Sequence, residues 1–357
     1  MDTRELLTFM VTQNISDIHF KAESAPLIRL HGNLISTQQE AFTPDLIQKV
    51  AYSLMSDVHK KRFEEEGELD FSYSLDKISR FRINVYRQKG SIALTLRVIP
   101  LHIKTFDELH LPIAFLQKMC ELPSGLVLIA GVTGAGKTTT MNAMVNTINQ
   151  NAAYNIITIE DPIEYYHKDK KSSVSQREVG SDTHSYANAL KYILRQDPDV
   201  IVIGEMRDPE AIAAAVTAAE TGHLVLSTIH TMDSIHTLHR IIDSYPSGQQ
   251  NQVRMSIANV LRGVIAQKLV TTIDGKDRIP CTETLVVTPY MRQIITEGKM
   301  NEIPAAMMRA HNEGMMTFDQ DLLRLCQAGK ISNEIALAES LRPDNLLSML
   351  QGISVKF

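Results

Sequence analysis

An unbroken apolar run, Leu126-Val127-Leu128-Ile129-Ala130, leads straight into Gly131-Val132-Thr133-Gly134-Ala135-Gly136-Lys137-Thr138. The second stretch matches G-x-x-x-x-G-K-[ST] and adds a third glycine. No other feature of the chain limits its fold as strongly. The order demands a buried strand, then a tight turn whose amides point inward around an anion, then a helix whose positive end faces the same anion.

This spacing makes Gly131, Val132, Thr133, Gly134, Ala135, Gly136, Lys137, Thr138 and Thr139 the expected phosphate-binding residues. Lys137 is expected to reach the β- and γ-phosphates of ATP, and the Thr138 hydroxyl to ligate Mg2+. Further apolar strands are expected at 155–159, 200–203 and 224–228, alternating with helices, which implies a parallel sheet. Asp208-Pro209-Glu210 reads as N-cap, first-turn proline and first-turn acid. The Ala-rich helix they open closes at Thr221-Gly222. Beyond about residue 250 the pattern reads as helical.

In a parallel sheet, ligands lie beyond the carboxyl ends of the strands. The strand at 155–159 runs into Glu160-Asp161-Pro162-Ile163-Glu164, and Val200-Ile201-Val202-Ile203-Gly204 runs into Glu205. Glu160, Glu164 and Glu205 are therefore candidates to orient an attacking water or to hold Mg2+ through its waters, Glu205 being the candidate at the metal. His223 flanks the fourth strand and His230 lies just past its end, within reach of a γ-phosphate. His236 and His239 have a spacing that fits a metal pair, yet no thiolate or suitably placed carboxylate supports one. They are expected to face solvent or a neighbouring subunit.

The first hundred residues read as a small α/β unit. A helix is expected at 5–13, strands at 17–20 and 27–30, a turn between strands at His31-Gly32-Asn33, and one helix over 43–65 with Thr43 as N-cap. Strands at 79–86 and 92–99 turn at Gln88-Lys89-Gly90, and Pro100 ends the unit. Arg80 and Arg82 share one strand face, with Arg97 on the next strand. Three clustered arginines form a cationic patch that could act on a nucleotide in a neighbouring subunit, as arginine fingers do. Residues 101–112 read as a linker between domains at 1–100 and 113–357.

Composition narrows the classes. A chain of 357 residues fits two domains, and 44% hydrophobic with 22% charged residues is globular. A net charge of −5 without a basic run gives no footprint of a nucleic-acid partner. No apolar stretch reaches membrane-spanning length, and Met1-Asp2-Thr3-Arg4-Glu5 lacks the pattern of a signal peptide. The three cysteines, Cys120, Cys281 and Cys326, form no CxxC pair and suit a reducing cytosol as buried thiols.

Taken together, these motifs resemble the PilT-type pilus-retraction ATPases of the type II/IV secretion superfamily, over residues 14–331. Ser16-Asp17-Ile18-His19 is similar to the family's N-terminal signature, and Ile157-Thr158-Ile159-Glu160-Asp161-Pro162-Ile163-Glu164 to its Asp box. The stretch from Asp197 through Gly204-Glu205-Met206-Arg207-Asp208 is similar to its Walker B region. Glu220-Thr221-Gly222-His223 and Thr228-Ile229-His230-Thr231 are similar to its His box. Gln176-Arg177-Glu178-Val179 and Gly314-Met315-Met316-Thr317 are further matches.

The resemblance implies a PAS-like N-terminal α/β domain and a RecA-like P-loop ATPase core with a helical C-terminal part. It implies that Glu160 or Glu164 activates water, that Glu205 acts at Mg2+, and that His223 and His230 lie on the γ-phosphate side. Arg80, Arg82 and Arg97 would act in trans in a homohexamer. The ring would turn an inner-membrane platform protein at the cytoplasmic face of the inner membrane, peripheral to it, and withdraw pilin subunits. Two departures stand out. Thr296 replaces the second arginine of the family's A-I-R-N-L-[IV]-R-E stretch, here Tyr290 to Glu297, and Ser227 and His239 replace a glycine and an aspartate. A tail beyond Leu341 leaves room for an accessory motor of the PilU kind, which implies a paralogous retraction ATPase as a partner. The competing readings are a pilus-extension or type II secretion ATPase and a low-turnover nucleotide-sensing scaffold. The lack of a four-cysteine zinc motif disfavours the extension or secretion enzyme, and the acids Glu160 and Glu205 disfavour the scaffold.

Overall fold

The computed structural model describes residues 3–13, 15–30, 33–75, 78–99 and 102–352. Met1, Asp2, Asn14, the His31-Gly32 part of the expected turn, Pro100 and residues 353–357 lie outside them. The chain divides into two compact units, one comprising Met1–His102 and Pro162–Tyr166, the other Ile103–Asp161 and His167–Phe357.

The first unit runs α1 (Thr3–Thr12), β1 (Ile15–Phe20), β2 (Leu27–Leu30), β3 (Asn33–Ser36), α2 (Pro44–Leu54), α3 (Asp57–Glu66), β4 (Glu68–Leu75), β5 (Ser79–Gln88) and β6 (Ser91–Ile99). Its strands form one antiparallel sheet in the order β3-β2-β1-β6-β5-β4. Strict alternation along β5 buries Phe81, Ile83 and Val85 beneath α1 and α2, whose stripes supply Leu7, Met10, Ile47, Val50 and Leu54. The single helix expected over 43–65 is two. Thr43 does cap the first, accepting from the Leu46 amide, but Met55 turns extended and Ser56 caps a second helix by accepting from the His59 amide.

The second unit adds α4 (Ile113–Cys120), β7 (Gly125–Ala130), α5 (Lys137–Asn151), β8 (Asn155–Glu160), β9 (Ser173–Glu178), α6 (Tyr186–Ile193), β10 (Val200–Ile203), α7 (Pro209–Glu220), β11 (Leu224–Ile229), α8 (Ser234–Asp243) and α9 (Ser247–Val260). Then come β12 (Leu261–Thr271), β13 (Arg278–Val286), α10 (Pro289–Glu297), α11 (Ile303–Arg309), α12 (Phe318–Gln327), α13 (Asn333–Glu339) and α14 (Pro343–Leu350). The sheet order is β13-β12-β7-β11-β10-β8-β9, parallel throughout except for the β12–β13 hairpin. Every residue of β7, β10 and β11 is buried, as a strand covered on both faces requires.

The expectation of an all-helical stretch beyond residue 250 is overturned by β12 and β13. Helix α9 passes directly into β12 at Leu261, which adopts extended angles with no intervening loop, so no turn residue marks the change. Segment 101–112, expected to be a linker, places Phe106 and Leu111 in the core of the second unit.

Candidate active site

Sheet register sets which residues can meet. Ala130 pairs with Ile229, and Ile203 pairs with both Ile159 and Ser227. The loop after β7, the end of β8 and the residues after β10 and β11 therefore open on one edge. Gly131 through Lys137, Glu160, Glu205 and His230 all lie there. His223 does not. It precedes β11, where its carbonyl accepts from the Gly125 amide, 3.0 Å away, at the opposite edge. A six-residue strand spans about 20 Å, so the expected γ-phosphate role of His223 is not one this fold permits within its own core. Its ring nitrogen Nδ1 instead faces the Ala218 carbonyl at 2.9 Å and the Thr221 hydroxyl at 3.1 Å.

The loop is shaped by glycine and held by a residue that no motif announces. Gly136 has φ +87°, and a Cβ there would come within 3.0 Å of the Gln267 amide nitrogen. A Cβ on Gly131 would meet the Gln267 carbonyl oxygen at 2.5 Å. Gln267, buried on β12, donates through Nε2 to the Ala135 carbonyl at 2.6 Å and accepts at Oε1 from the Thr140 hydroxyl at 2.8 Å. One side chain thus ties the loop to the first turn of α5.

The first intrahelical bond of α5 runs from the Thr140 amide to the Gly136 carbonyl. The first turn of α5 therefore points its N–H ends and its positive dipole end toward the loop. Lys137 is buried and its Nζ donates to the Val132 carbonyl at 3.0 Å, folding the ammonium over the loop. A polyphosphate fits this cradle, because donors and the helix dipole converge where only glycine lets the backbone approach.

On the facing strand ends, Glu160 is buried and accepts at Oε1 from the Thr158 hydroxyl at 2.6 Å and from Gln176 Nε2 at 3.1 Å. Glu205 is bracketed, with Arg207 Nε 2.8 Å from Oε2 and His230 Nε2 3.3 Å from Oε1. His230 Nδ1 lies 3.5 Å from the Thr133 hydroxyl, so this ring connects the phosphate loop to Glu205. Tyr186 of α6 is a neighbour that sequence reasoning missed. A Cβ on Gly204 would fall 2.9 Å from its hydroxyl, and burial together with the Asp161 charge pushes that hydroxyl's pKa above its ordinary value.

Thr138 and Glu205 are the residues that could hold Mg2+. Both offer oxygen donors, the kind Mg2+ takes; among the described residues no cluster of three His, Cys, Asp or Glu could hold a metal. His236 Nδ1 is 2.8 Å from Asp233, and both His236 and His239 are exposed.

Glu164 is exposed on Pro162–Tyr166, the segment grouped with the first unit. Within the first unit, Arg82 and Arg97 pair directly across β5 and β6. Each already has a carboxylate partner in its own chain: Arg97 Nε lies 2.7 Å from Asp17 and Arg82 Nε 3.5 Å from Asp70. Arg80 stands two residues before Arg82 on the same strand face. Asp17 is buried between Arg97 and Arg29, which explains the acid of the Ser16-Asp17-Ile18-His19 stretch in structural terms.

A glycine-lined loop at the carboxyl edge of a parallel sheet, faced by carboxylates from two further strand ends, defines a RecA-like P-loop ATPase. Comparison with known proteins agrees. The model of the family described as type II/IV secretion system protein matches residues 2–297. A twitching motility protein of Neisseria gonorrhoeae is 42% identical over 87% of this chain and 83% of its own length. The type IV pilus retractation ATPase PilT of Pseudomonas aeruginosa is 39% identical over 97% of this chain and all of its own. A crystal structure of the pilus retraction motor PilT with bound ADP superposes with a TM-score of 0.91 at 42% identity, covering 98% of this chain and 100% of that one. The chain belongs to the type II/IV secretion ATPase family, in its PilT-type branch.

Proposed function

We propose that this protein is a ring-forming, Mg2+-dependent motor that hydrolyses ATP to drive retraction of a type IV pilus. The meeting of Lys137, Glu160, Glu205 and His230 at one sheet edge carries the reading. Amides of the loop and of the α5 start hold the phosphates, and Lys137 neutralises charge on the β- and γ-oxygens. Glu160 orients the attacking water and takes up its proton. His230, donating from Nε2 to Glu205, senses whether the γ-phosphate is present at Thr133. Mg2+, held by Thr138 and Glu205, would neutralise charge on the phosphates.

The same proposal includes a homohexamer in which Arg80, Arg82 and Arg97 serve a neighbour's nucleotide. It also includes a platform protein at the cytoplasmic face of the inner membrane, and a paralogous retraction ATPase as a further partner. No helix among the described residues is long and apolar enough to cross a membrane. Phosphate release by purified protein tests the chemistry: Lys137→Ala and Glu205→Gln should abolish it, and wild-type turnover no higher than theirs would refute an active motor. Deleting the gene tests the direction of work. Surface pili should persist without retracting, whereas bald cells would indicate an extension enzyme.

A further inference from the structure

Helix α5 carries three buried asparagines, Asn142, Asn146 and Asn149, at spacings of four and three that place them on one face. All three are bonded to residues 167–170. Asn146 Oδ1 accepts from Lys170 Nζ at 2.7 Å. Asn149 donates to the Lys168 carbonyl at 2.8 Å and accepts from the Lys170 amide at 3.0 Å. Asn142, nearest the phosphate loop, donates through Nδ2 to the Thr138 carbonyl at 2.8 Å and faces His167 Nε2 through Oδ1 at 2.7 Å.

The path does not stop at His167. Its backbone amide donates to Gln176 Oε1 at 2.8 Å, and Gln176 Nε2 donates to Glu160 Oε1 at 3.1 Å. Four successive hydrogen bonds therefore run from the Thr138 carbonyl to the Glu160 carboxylate. Through the sheet, the route from the loop to Glu160 crosses β7, β11, β10 and β8. The side-chain route is a shortcut. Its polarity is forced as well: the Asn142 amide group is committed to Thr138, so its oxygen must accept, and His167 must carry its proton on Nε2. Burial, assisted by the nearby Lys170 charge, lowers the His167 pKa to about 4 and keeps the ring neutral.

We propose that Asn142, His167 and Gln176 are positioning residues that hold the Thr138 end of α5 and Glu160 in a fixed register during turnover. The inference rests on the reading of Thr138 and Glu160 given above. A largely buried polar chain linked by these four bonds resists sliding, because a shift of one member strains the bonds of its neighbours. A displacement of about 1 Å at a reacting centre costs roughly 100-fold in rate.

The test is steady-state ATP hydrolysis and fluorescent-ADP binding by the full chain carrying His167→Leu, His167→Gln, Gln176→Met and the double change His167→Leu/Gln176→Met. Each leucine or methionine variant should lose about 10- to 100-fold in kcat with ADP affinity within about two-fold of wild type. His167→Gln, which retains a donor, should recover part of the loss. The double variant should be no slower than the slower single, since residues acting as one unit are non-additive. Unchanged kcat, multiplicative losses or a matching loss of ADP affinity would each overturn the proposal. If His167→Leu does not fold, Gln176→Met, which alters a half-buried residue, carries the comparison. Glu160→Gln is measured alongside: full activity in it refutes the site reading, whereas an inactive Glu160→Gln beside fully active relay variants refutes only the relay.

Discussion

His230 Nε2 lies 3.3 Å from Glu205 Oε1, while its other ring nitrogen lies 3.5 Å from the Thr133 hydroxyl on the phosphate loop. One imidazole thereby bridges the phosphate loop and the carboxylate proposed for the metal. In an energy-coupling ATPase this is where the presence of a γ-phosphate can alter the setting of Glu205. Arg207 holds the second carboxylate oxygen, so the acid cannot rotate freely.

His230→Ala should lower kcat by about 100-fold, the scale on which single electrostatic contacts to a transition state act. Affinity for ADP should change little, because no cradle amide is removed. Phosphate release and fluorescent-ADP titration on the same preparation check this. Equal losses in both would place His230 in nucleotide binding instead.

Replacing Gln267 by leucine should destabilise the second unit by about 1–3 kcal/mol, since the Ala135 carbonyl loses its donor and the buried Thr140 hydroxyl its acceptor. Urea unfolding reads the cost as a lower midpoint at constant slope. Nucleotide affinity should fall too, because the loop is then tethered at fewer points. An unchanged midpoint would contradict the bracing role.

Stability should depend on pH through His167. Its folded pKa is depressed to about 4, and the unfolded chain binds the proton near 6.5. Between these values the unfolded state holds more protons, so stability is full above about pH 6.5 and declines as pH falls toward 4. His167→Gln should remove that part of the slope. Denaturation midpoints at pH 5 and pH 7.5, compared between variant and wild type, decide the matter. An identical pH slope in both would refute a buried neutral histidine.

Arg82→Ala and Arg97→Ala should bind ADP as wild type does yet lose turnover if their guanidinium groups serve a neighbour. Mixing either inactive protein with inactive Lys137→Ala should restore part of the activity, because a mixed ring contains intact sites. Failure of every mixture to recover turnover would count against action in trans. It would leave the pairs with Asp17 and Asp70 as the arginines' structural role.

The phosphate loop, the strand before it and the helix after it were legible because each is local: glycine tolerance, apolar runs and helix-start chemistry act within a few residues. The same holds for the caps at Thr43 and Asp208. Strands β12 and β13 were not, since the helix before them enters extended structure without a punctuating residue and the strand state is stabilised by pairing with β7, more than a hundred residues earlier. The position of Glu160 and Glu205 at the loop's edge of the sheet was legible from their place after apolar runs. His223 precedes β11 and so lies at the edge away from the loop, which the pairing of β11 with β7 fixes. Gln267, Tyr186 and the Asn142–His167–Gln176 path left no contiguous signature. Lone polar residues in apolar surroundings take their meaning from what packs against them. Local backbone chemistry in the sequence therefore determined that this chain builds a phosphate cradle, and long-range strand order alone decided which carboxylates, which histidine and which buried amides stand around it.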